Sequence, residues 1–147
     1  CSSDLVVTYV SGRVLDSSGN PVRGALVELW HADREGDYLY SANATRNAAC
    51  DVNFAGFGQF LTGSDGRYRF RTIRPVAYTG RTPHIHLKLR LGQRELLTTQ
   101  VYVEGDPGNA RDMLWRRLDA AERAALTVPF EPAPDGLRAR FPIVVAA

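Results

Sequence analysis

Short runs of alternating apolar and polar residues, each ended by a turn of glycine, proline or aspartate, constrain the fold of this chain most strongly. The run at 84–91 is the clearest, since Ile85, Leu87 and Leu89 alternate with polar side chains. Successive side chains of a β-strand point to opposite faces, so this alternation predicts a strand with one face in a core. The turn sequences that separate such runs are 16–21, 63–66 and 92–93.

The spacing of these runs predicts an all-β fold. Helical spacing occurs at 106–126, where Asp106 and Pro107 suit one helix start, and Asp119 followed by Glu122 suits a second. We therefore predict an antiparallel β-sandwich with one or two short helices near the C-terminus. The predicted strands are 10–15, 25–30, 59–61, 68–73, 84–91, 95–103 and 140–145.

Length and charge exclude several classes of protein. With 147 residues, the chain has the usual size of one domain, and we expect residues 1–147 to form a single β-sandwich domain. A net charge of +2 is too small to indicate a nucleic-acid partner. No apolar run approaches the roughly 18 residues of a membrane span. These observations favour a small-molecule partner over nucleic acid or a membrane-spanning role.

The N-terminal residue bears on localisation. Cys1, followed by two serines, fits the processed N-terminus of a bacterial lipoprotein, and thus a lipid anchor. It also fits a disulfide with Cys50 or an arbitrary chain boundary. The first two explanations favour an extracytoplasmic protein over a cytoplasmic one.

Two of the three histidines lie on one face of the strand predicted at 84–91. His84 and His86 are two residues apart, so their imidazoles can bind one metal ion together. His-x-His is a short and common match, however, and the same residues fit a solvated face that continues through Lys88 and Arg90. A zinc or copper protein that adds His31 is a further alternative.

The first half of the chain has a frame shared with modules that do no chemistry. The segments 11–16 and 66–70 are similar to the opening and the hairpin of carboxypeptidase-regulatory and transthyretin-like modules. The frame by itself therefore predicts a structural or carbohydrate-binding module without activity.

Four features of the chain are not part of this frame and indicate an enzyme instead. They are the run 30–38 with Tyr38 after a glycine turn, the run 54–58, the run 72–78 that ends in Tyr78 before Arg81, and the strand 98–102 with Gln100.

With these additions the chain resembles the intradiol ring-cleavage dioxygenase family, most closely its protocatechuate 3,4-dioxygenase-like branch. The resemblance covers roughly 10–145 and rests on the combined spacing of W-x-A-x-x-x-G-x-Y, T-I-x-P-x-x-Y and R-x-x-H-I-H. It implies an enzyme that cleaves a catechol-type ring between its two hydroxylated carbons. The expected reaction uses Fe(III) and dioxygen and gives a muconate-type diacid.

The same resemblance implies the residues of the site. The four protein ligands of a non-haem ferric ion would be Tyr38, Tyr78, His84 and His86. Substrate binding would displace Tyr78, which is therefore grouped with Arg81 and Gln100 as catalytic. Arg81 would stabilise negative charge on the ionised substrate, and the Gln100 amide would orient it. Phenolate oxygens favour a highly charged metal and imidazole suits iron among others, so the donor chemistry agrees with Fe(III).

The chain departs from the family pattern in places. Val76 stands where the family commonly has glycine, and the connection from Tyr78 to His84 is shorter than in the archetypal protocatechuate enzymes. Tyr40 competes with Tyr38, because residues two apart in an extended segment share a face. The motifs carry no code for the substituents of the ring or for the oligomeric state.

Overall fold

The computed structural model describes residues 6–31, 57–77 and 80–146, which form two β-sheets and a short helical segment. Between β6 and β7 lie a 3₁₀ turn at Asn109–Arg111 and the helices α1 (Met113–Arg116) and α2 (Ala120–Leu126). The strands are β1 (Val7–Asp16), β2 (Ala25–Trp30), β3 (Phe57–Leu61), β4 (Arg67–Ile73), β5 (His84–Leu91), β6 (Arg94–Val103), β7 (Thr127–Val128), β8 (Phe130–Ala133), β9 (Gly136–Arg140) and β10 (Ile143–Val145).

The strands are arranged as two layers. In the first sheet, β1 pairs antiparallel with β4 and parallel with β9 and β10, while β8 pairs with β9. The second sheet has the order β3-β2-β5-β6-β7, and its pairs are antiparallel except for β6 with β7. The predicted all-β sandwich with short helices near the C-terminus is confirmed. The parallel pairings were not predicted.

The inner faces of the two sheets meet in one hydrophobic core. Ile85, Leu87 and Leu89 of β5 are each at most 1% exposed, as their alternation predicted. Each such side chain stabilises the fold by roughly 1.5–3 kcal/mol. The outer face of β5, with both histidines, lies on the opposite side from this core. Other members of the core are Val10, Val14, Ala25, Val27, Leu29, Tyr68, Phe70 and Val101.

Tyr68 connects β4 to the loop between β9 and β10. Its ring packs against Phe70, with ring centroids 6.0 Å apart, and its hydroxyl donates a 2.5 Å hydrogen bond to the carbonyl of Phe141. Gly12 lies opposite Tyr68 in the register of β1 and β4, where a Cβ would come within 2.8 Å of the ring. Burial raises the pKa of the Tyr68 phenol far above its usual value. This tyrosine is therefore a protonated core residue.

The first helix begins later than the sequence predicted. The expected cap, Asp106, instead accepts a hydrogen bond from the Gly108 N–H within a turn. Asp112 is the N-cap of α1, and its side chain accepts from the N–H groups of Leu114 and Trp115. The helical pattern allowed both starts, and the structure uses the aspartate directly before the apolar pair at 113–114.

The rest of the C-terminal region agrees with the prediction in part. Asp119 caps α2 and forms a capping box with Glu122, as predicted. The strand predicted at 140–145 is divided between β9 and β10, because Pro142 has no N–H to donate to a ladder. Among the residues that the structure describes, no helix has both the length and the apolar character needed to cross a bilayer.

Candidate metal centre

His84 and His86 lie side by side on the outer face of β5. Their Nε2 atoms are 3.2 Å apart, and their ring centroids are 4.8 Å apart. Two nitrogen ligands that bind one ion at about 2.1 Å, roughly at right angles to each other, are about 3 Å apart. The observed separation therefore fits a shared metal ion.

The backbone before β5 determines which nitrogen of His84 faces the pair. The Nδ1–H of His84 donates a 2.7 Å hydrogen bond to the carbonyl of Thr82. With its proton on Nδ1, the neutral ring has its lone pair on Nε2, the atom that faces His86. Hydrogen bonds of this kind orient metal-binding histidines and fix their tautomer.

Both imidazoles are held in the form that binds metal. Burial lowers the pKa of His84, and the hydrogen bond to Thr82 opposes this change only in part. Burial, followed by the charges of His84 and Arg81, lowers the pKa of His86 to about 4. Both rings are therefore neutral at pH 7, which is the state required of a histidine ligand.

Neighbouring strands supply the residues beside the histidines. The register of the second sheet aligns Trp30 of β2 and Gln100 of β6 with His86. The rings of Trp30 and His86 are stacked, with centroids 5.2 Å apart and planes within 3° of parallel. Trp30 thus covers one face of an imidazole whose edge points to His84.

The solvated-face alternative does not fit the histidine end of β5. His84 and its cross-strand neighbour Tyr102 are only 2% and 3% exposed, although both lie on the outer face of the sheet. Further along the same face, Lys88 pairs with the exposed Glu95 at 3.3 Å, as expected of a solvated strand. The outer face is therefore solvated at one end and buried around His84, with His86 partly buried between them.

Arg81 reaches this region from the segment before β5. Its Nη2 donates a 2.5 Å hydrogen bond to Oε1 of Gln100, and the Tyr102 hydroxyl donates to the same oxygen at 3.2 Å. Since Gln100 is the register partner of His86, the structure brings the arginine and the glutamine beside the histidine pair. Arg81 also lines a cavity of about 360 Å³ that neither histidine lines.

Asp112 is the one residue of this cluster that the sequence did not single out. It is fully buried, and its Oδ2 accepts from Nε of Arg81 at 2.8 Å and from the Thr82 N–H at 2.9 Å. Burial raises the pKa of Asp112, but hydrogen bonds from Arg81 and from the N–H groups of Trp115 and Thr82 outweigh it and leave the pKa below its usual range. A helix start placed at Asp112 was the signal that could have identified it.

His31 does not complete a three-histidine site. It is buried at the end of β2, where its Nε2 forms a 2.7 Å hydrogen bond with Oγ1 of Thr72. Within 6–31, 57–77 and 80–146, no group of three or more His, Cys, Asp or Glu side chains could hold a metal ion. The described geometry therefore gives no support to a zinc or copper site built from all three histidines.

The predicted tyrosine ligands, Tyr38 and Tyr78, lie outside the described residues, as do Tyr40, Cys1 and Cys50. Their roles stay predictions. The described residues supply two neutral imidazoles that face one point, and imidazole suits iron. This partial donor set fits Fe(III) that takes its remaining ligands from oxygen donors.

Comparison with known proteins identifies the family. Residues 4–128 match the profile of the family described as Dioxygenase. The dioxygenase domain of a dioxygenase carbohydrate-binding protein fusion from Streptomyces sp. SirexAA-E has 35% identity and a TM-score of 0.77, over 98% of this chain and 83% of that one. The chain belongs to the intradiol ring-cleavage dioxygenase family. The predicted family is thus confirmed.

Curated members of the intradiol family include several similar proteins. The protocatechuate 3,4-dioxygenase beta chain of Burkholderia cepacia is 41% identical over 131 residues, which cover 82% of this chain and 54% of that protein. A hydroxyquinol 1,2-dioxygenase of Nocardioides simplex is 32% identical over 94% of this chain and 54% of that protein. The chain spans about half the length of these curated relatives.

Proposed function

We propose that this protein cleaves a catechol-type ring between its two hydroxylated carbons, using dioxygen and non-haem Fe(III), and forms a muconate-type diacid. The observation that carries the proposal is the pair of neutral histidines, His84 buried and His86 partly buried, with Nε2 atoms 3.2 Å apart, in a chain of the intradiol family. His84 and His86 would hold the ion together with Tyr38 and Tyr78. When bound, the ion would supply Lewis-acid chemistry and a template for the substrate.

In this proposal, Arg81 stabilises negative charge on the ionised ring. Hydrogen bonds to Asp112 and Gln100 fix two nitrogens of its guanidinium in advance. The Tyr102 hydroxyl is a further hydrogen-bond partner of the guanidinium. The bonds to Asp112 and Gln100 use Nε and Nη2, and in this proposal Nη1 donates to a substrate oxygen. A charge that is already oriented does not need to reorganise during the reaction, so it stabilises the transition state more than a mobile one does.

Gln100 orients the substrate through its amide nitrogen. Its Oε1 already accepts hydrogen bonds from Arg81 and Tyr102. The NH₂ group is therefore the end of the side chain that can donate to a bound oxygen. Its position beside His86 in the register of β5 and β6 puts this donor next to the proposed metal ligands.

Packed aromatic side chains partly shield the histidines from water. Trp30 stacks on His86, and Tyr102 is buried beside His84. Electrostatic interactions are stronger where water is absent, so the effect of the Arg81 charge on an ionised ring increases. The reaction itself needs no further co-reactant, because one dioxygen supplies both oxygen atoms that the ring-opened diacid gains.

Iron loading tests the proposal. Purified protein is loaded anaerobically with Fe(II), re-oxidised, and examined by absorption spectroscopy and elemental analysis. We expect a red-brown colour from tyrosinate-to-iron charge transfer, and we expect Tyr38→Phe to alter that colour while His31→Ala retains it. The reverse result would favour a site built from histidines. Bound iron without consumption of catechol, protocatechuate or hydroxyquinol would favour a sandwich module that has lost its activity.

A further inference from the structure

We propose that Asp112 is a positioning residue that orients Arg81 for this reaction. The inference rests on the proposed function, since it concerns the charge that Arg81 offers to an ionised ring. Asp112 lies outside the predicted ligand set and outside the motifs that indicated the family. Its part in the site follows from four hydrogen bonds to its carboxylate, its complete burial and its connection to His84.

The two carboxylate oxygens of Asp112 have different partners: one binds Arg81 and Thr82, and the other caps helix α1. Oδ2 accepts from Arg81 Nε at 2.8 Å and from the Thr82 N–H at 2.9 Å. Oδ1 accepts from the N–H groups of Leu114 and Trp115 at 3.0 and 3.1 Å. A carboxylate offers about four acceptor positions, so those of Asp112 are all in use. Because helix α1 holds Oδ1, the other oxygen has a fixed position from which it binds Arg81.

The hydrogen bond that Arg81 donates to Asp112 determines the orientation of the Arg81 guanidinium. Asp112 binds Nε, and the neutral amide of Gln100 binds Nη2. Two bonds on adjacent nitrogens of a planar group fix its plane as well as its position. Without the carboxylate, only the neutral Gln100 and Tyr102 side chains would remain as partners, and the 21%-exposed side chain of Arg81 could turn toward solvent.

The same carboxylate is connected to the histidine pair through one residue. Thr82 donates its N–H to Asp112 and accepts the Nδ1–H of His84 with its carbonyl. The Thr82 hydroxyl also donates to Oδ1 of Asn109, and this second hydrogen bond holds Thr82 in place through its side chain. Arg81 and His84 are therefore positioned relative to each other by Asp112 and a single braced residue.

A purely structural role as the cap of α1 does not account for these contacts. Helix α1 has four residues, and its side chains Met113 and Leu114 are 64% and 39% exposed, so it buries little apolar surface. Complete burial of a carboxylate is costly unless the charge is paired. An exposed cap, such as Asp119 on α2, fulfils the capping role without that cost. The burial and the ion pair of Asp112 are explained by Arg81.

Asp112→Asn separates the two roles. Asparagine is as good an N-cap as aspartate, so α1 is kept, but the charge that binds Arg81 is removed. Asp119→Asn makes the same chemical change at the cap of α2 and is the matched control. The positioning readout is the Nε–H signal of Arg81 in ¹⁵N spectra of metal-free protein. In the wild type we expect slow exchange of this proton with water, and in Asp112→Asn a broadened or lost signal.

Kinetics of the iron-loaded protein provide the second readout. Asp112→Asn should lower kcat/KM for catechol on the order of 10- to 100-fold with iron content unchanged, since the Thr82 hydroxyl remains bound to Asn109 and keeps the carbonyl that orients His84 in place. In an Arg81→Ala background the same change should cost less than about 3-fold, because a residue that acts through Arg81 has no further effect once Arg81 is gone. Asp119→Asn should stay within about 2-fold of wild type.

Three results would overturn the inference. In the first, the Arg81 Nε–H of the wild type exchanges with water as fast as the Nε–H of the exposed Arg138. This measurement uses the wild type alone and does not depend on the folding of any variant. The second is an unchanged Nε–H signal in Asp112→Asn. The third is a double variant in which Asp112→Asn lowers kcat/KM by the same factor in the Arg81→Ala background as in the wild type. A wild-type protein that consumes no dioxygen would refute the proposed function instead, and a signal lost only in Asp112→Asn would then still support the positioning of Arg81.

Discussion

At the scale of single residues, the site combines a fixed positive charge with two imidazoles that stay neutral. Arg81 is fixed by Asp112 and Gln100, and the histidine pair, with His84 buried and His86 partly buried, lies beside it on the outer sheet face. The arginine and the histidines perform separable tasks in the proposed reaction. A variant that removes one task should leave the other intact.

Arg81 variants test that separation. Arg81→Ala should retain iron and colour while turnover falls on the order of 10²-fold or more, which is typical of losing one preorganised charge. Arg81→Lys should recover little, because a flexible ammonium cannot reproduce a planar group held at two nitrogens. Iron content and catechol-dependent oxygen uptake are measured on the same samples. If both variants lose iron together with activity, Arg81 serves only to brace the turn before His84.

The histidine pKa values predict an acid sensitivity of the metal-free protein. Burial keeps the pKa of His86 at about 4 in the folded state, against 6.5 for an ordinary histidine, and the pKa of His84 is also lowered. Between pH 6.5 and 4 the unfolded chain therefore binds more protons, so the free energy of unfolding should fall as the pH falls through this window. Urea unfolding at pH 7.5 and pH 5 measures the change. His86→Gln should reduce this dependence on pH, and a wild-type midpoint that rises toward pH 5 would contradict the assignment.

At the scale of secondary structure, β5 gives the site its shape. Alternation puts its apolar residues into the core and its histidines on the other face, while the register brings in Trp30 from β2 and Gln100 from β6. The site therefore depends on the correct packing of the sandwich beneath it. A core residue that joins strands of the first sheet should affect stability without contributing to the chemistry.

Tyr68→Phe tests the packing beneath the site. The substitution removes the buried hydrogen bond to the Phe141 carbonyl and should lower the free energy of unfolding by about 1–2 kcal/mol. Tyr9→Phe is the control, since Tyr9 is only partly buried on the outer face of β1 against Arg138, and its loss should stay within about 0.5 kcal/mol. Urea titration measures both variants. Equal losses would show that the Phe141 contact is not important for stability.

Sequence patterns predicted the longer elements and missed those whose formation depends on tertiary contacts. The alternation of β5 and the capping box of α2 are local signals, and both were predicted. Strand β8 contains Pro132, which argues against a strand, yet β8 is an edge strand where a missing N–H is tolerated. Asp112 was missed because its contact with Arg81 spans 31 positions of the chain, a distance over which periodicity carries no information.

At the scale of the whole molecule, the sandwich supports a site on its outside. The core lies between the sheets, whereas the histidines, Arg81 and Gln100 lie together on the outer side of β5 and β6. This arrangement explains why the same frame serves modules without chemistry, since additions on the outer face need not disturb the core. The fold class could be predicted from the frame, but the function depended on the added motifs.

Removal of iron should lower the thermal stability of the loaded protein. A ligand that binds only the folded state stabilises it, by about 2.7 kcal/mol at a concentration 100 times its Kd. Chelation should therefore lower Tm by several degrees, and re-addition should restore it. His84→Ala should show no such difference, because one of the proposed ligands is missing. If that variant responds to iron like the wild type, the ion binds elsewhere.

The reaction with ¹⁸O₂ tests the central claim most directly. Iron-loaded protein is given catechol under labelled dioxygen, and the product is identified by mass spectrometry alongside oxygen uptake. The proposed function predicts one dioxygen consumed per ring and a muconate-type diacid that has gained both labelled atoms. A semialdehyde product, a diacid without label, or an iron-loaded protein that consumes no dioxygen with any catechol would contradict intradiol cleavage.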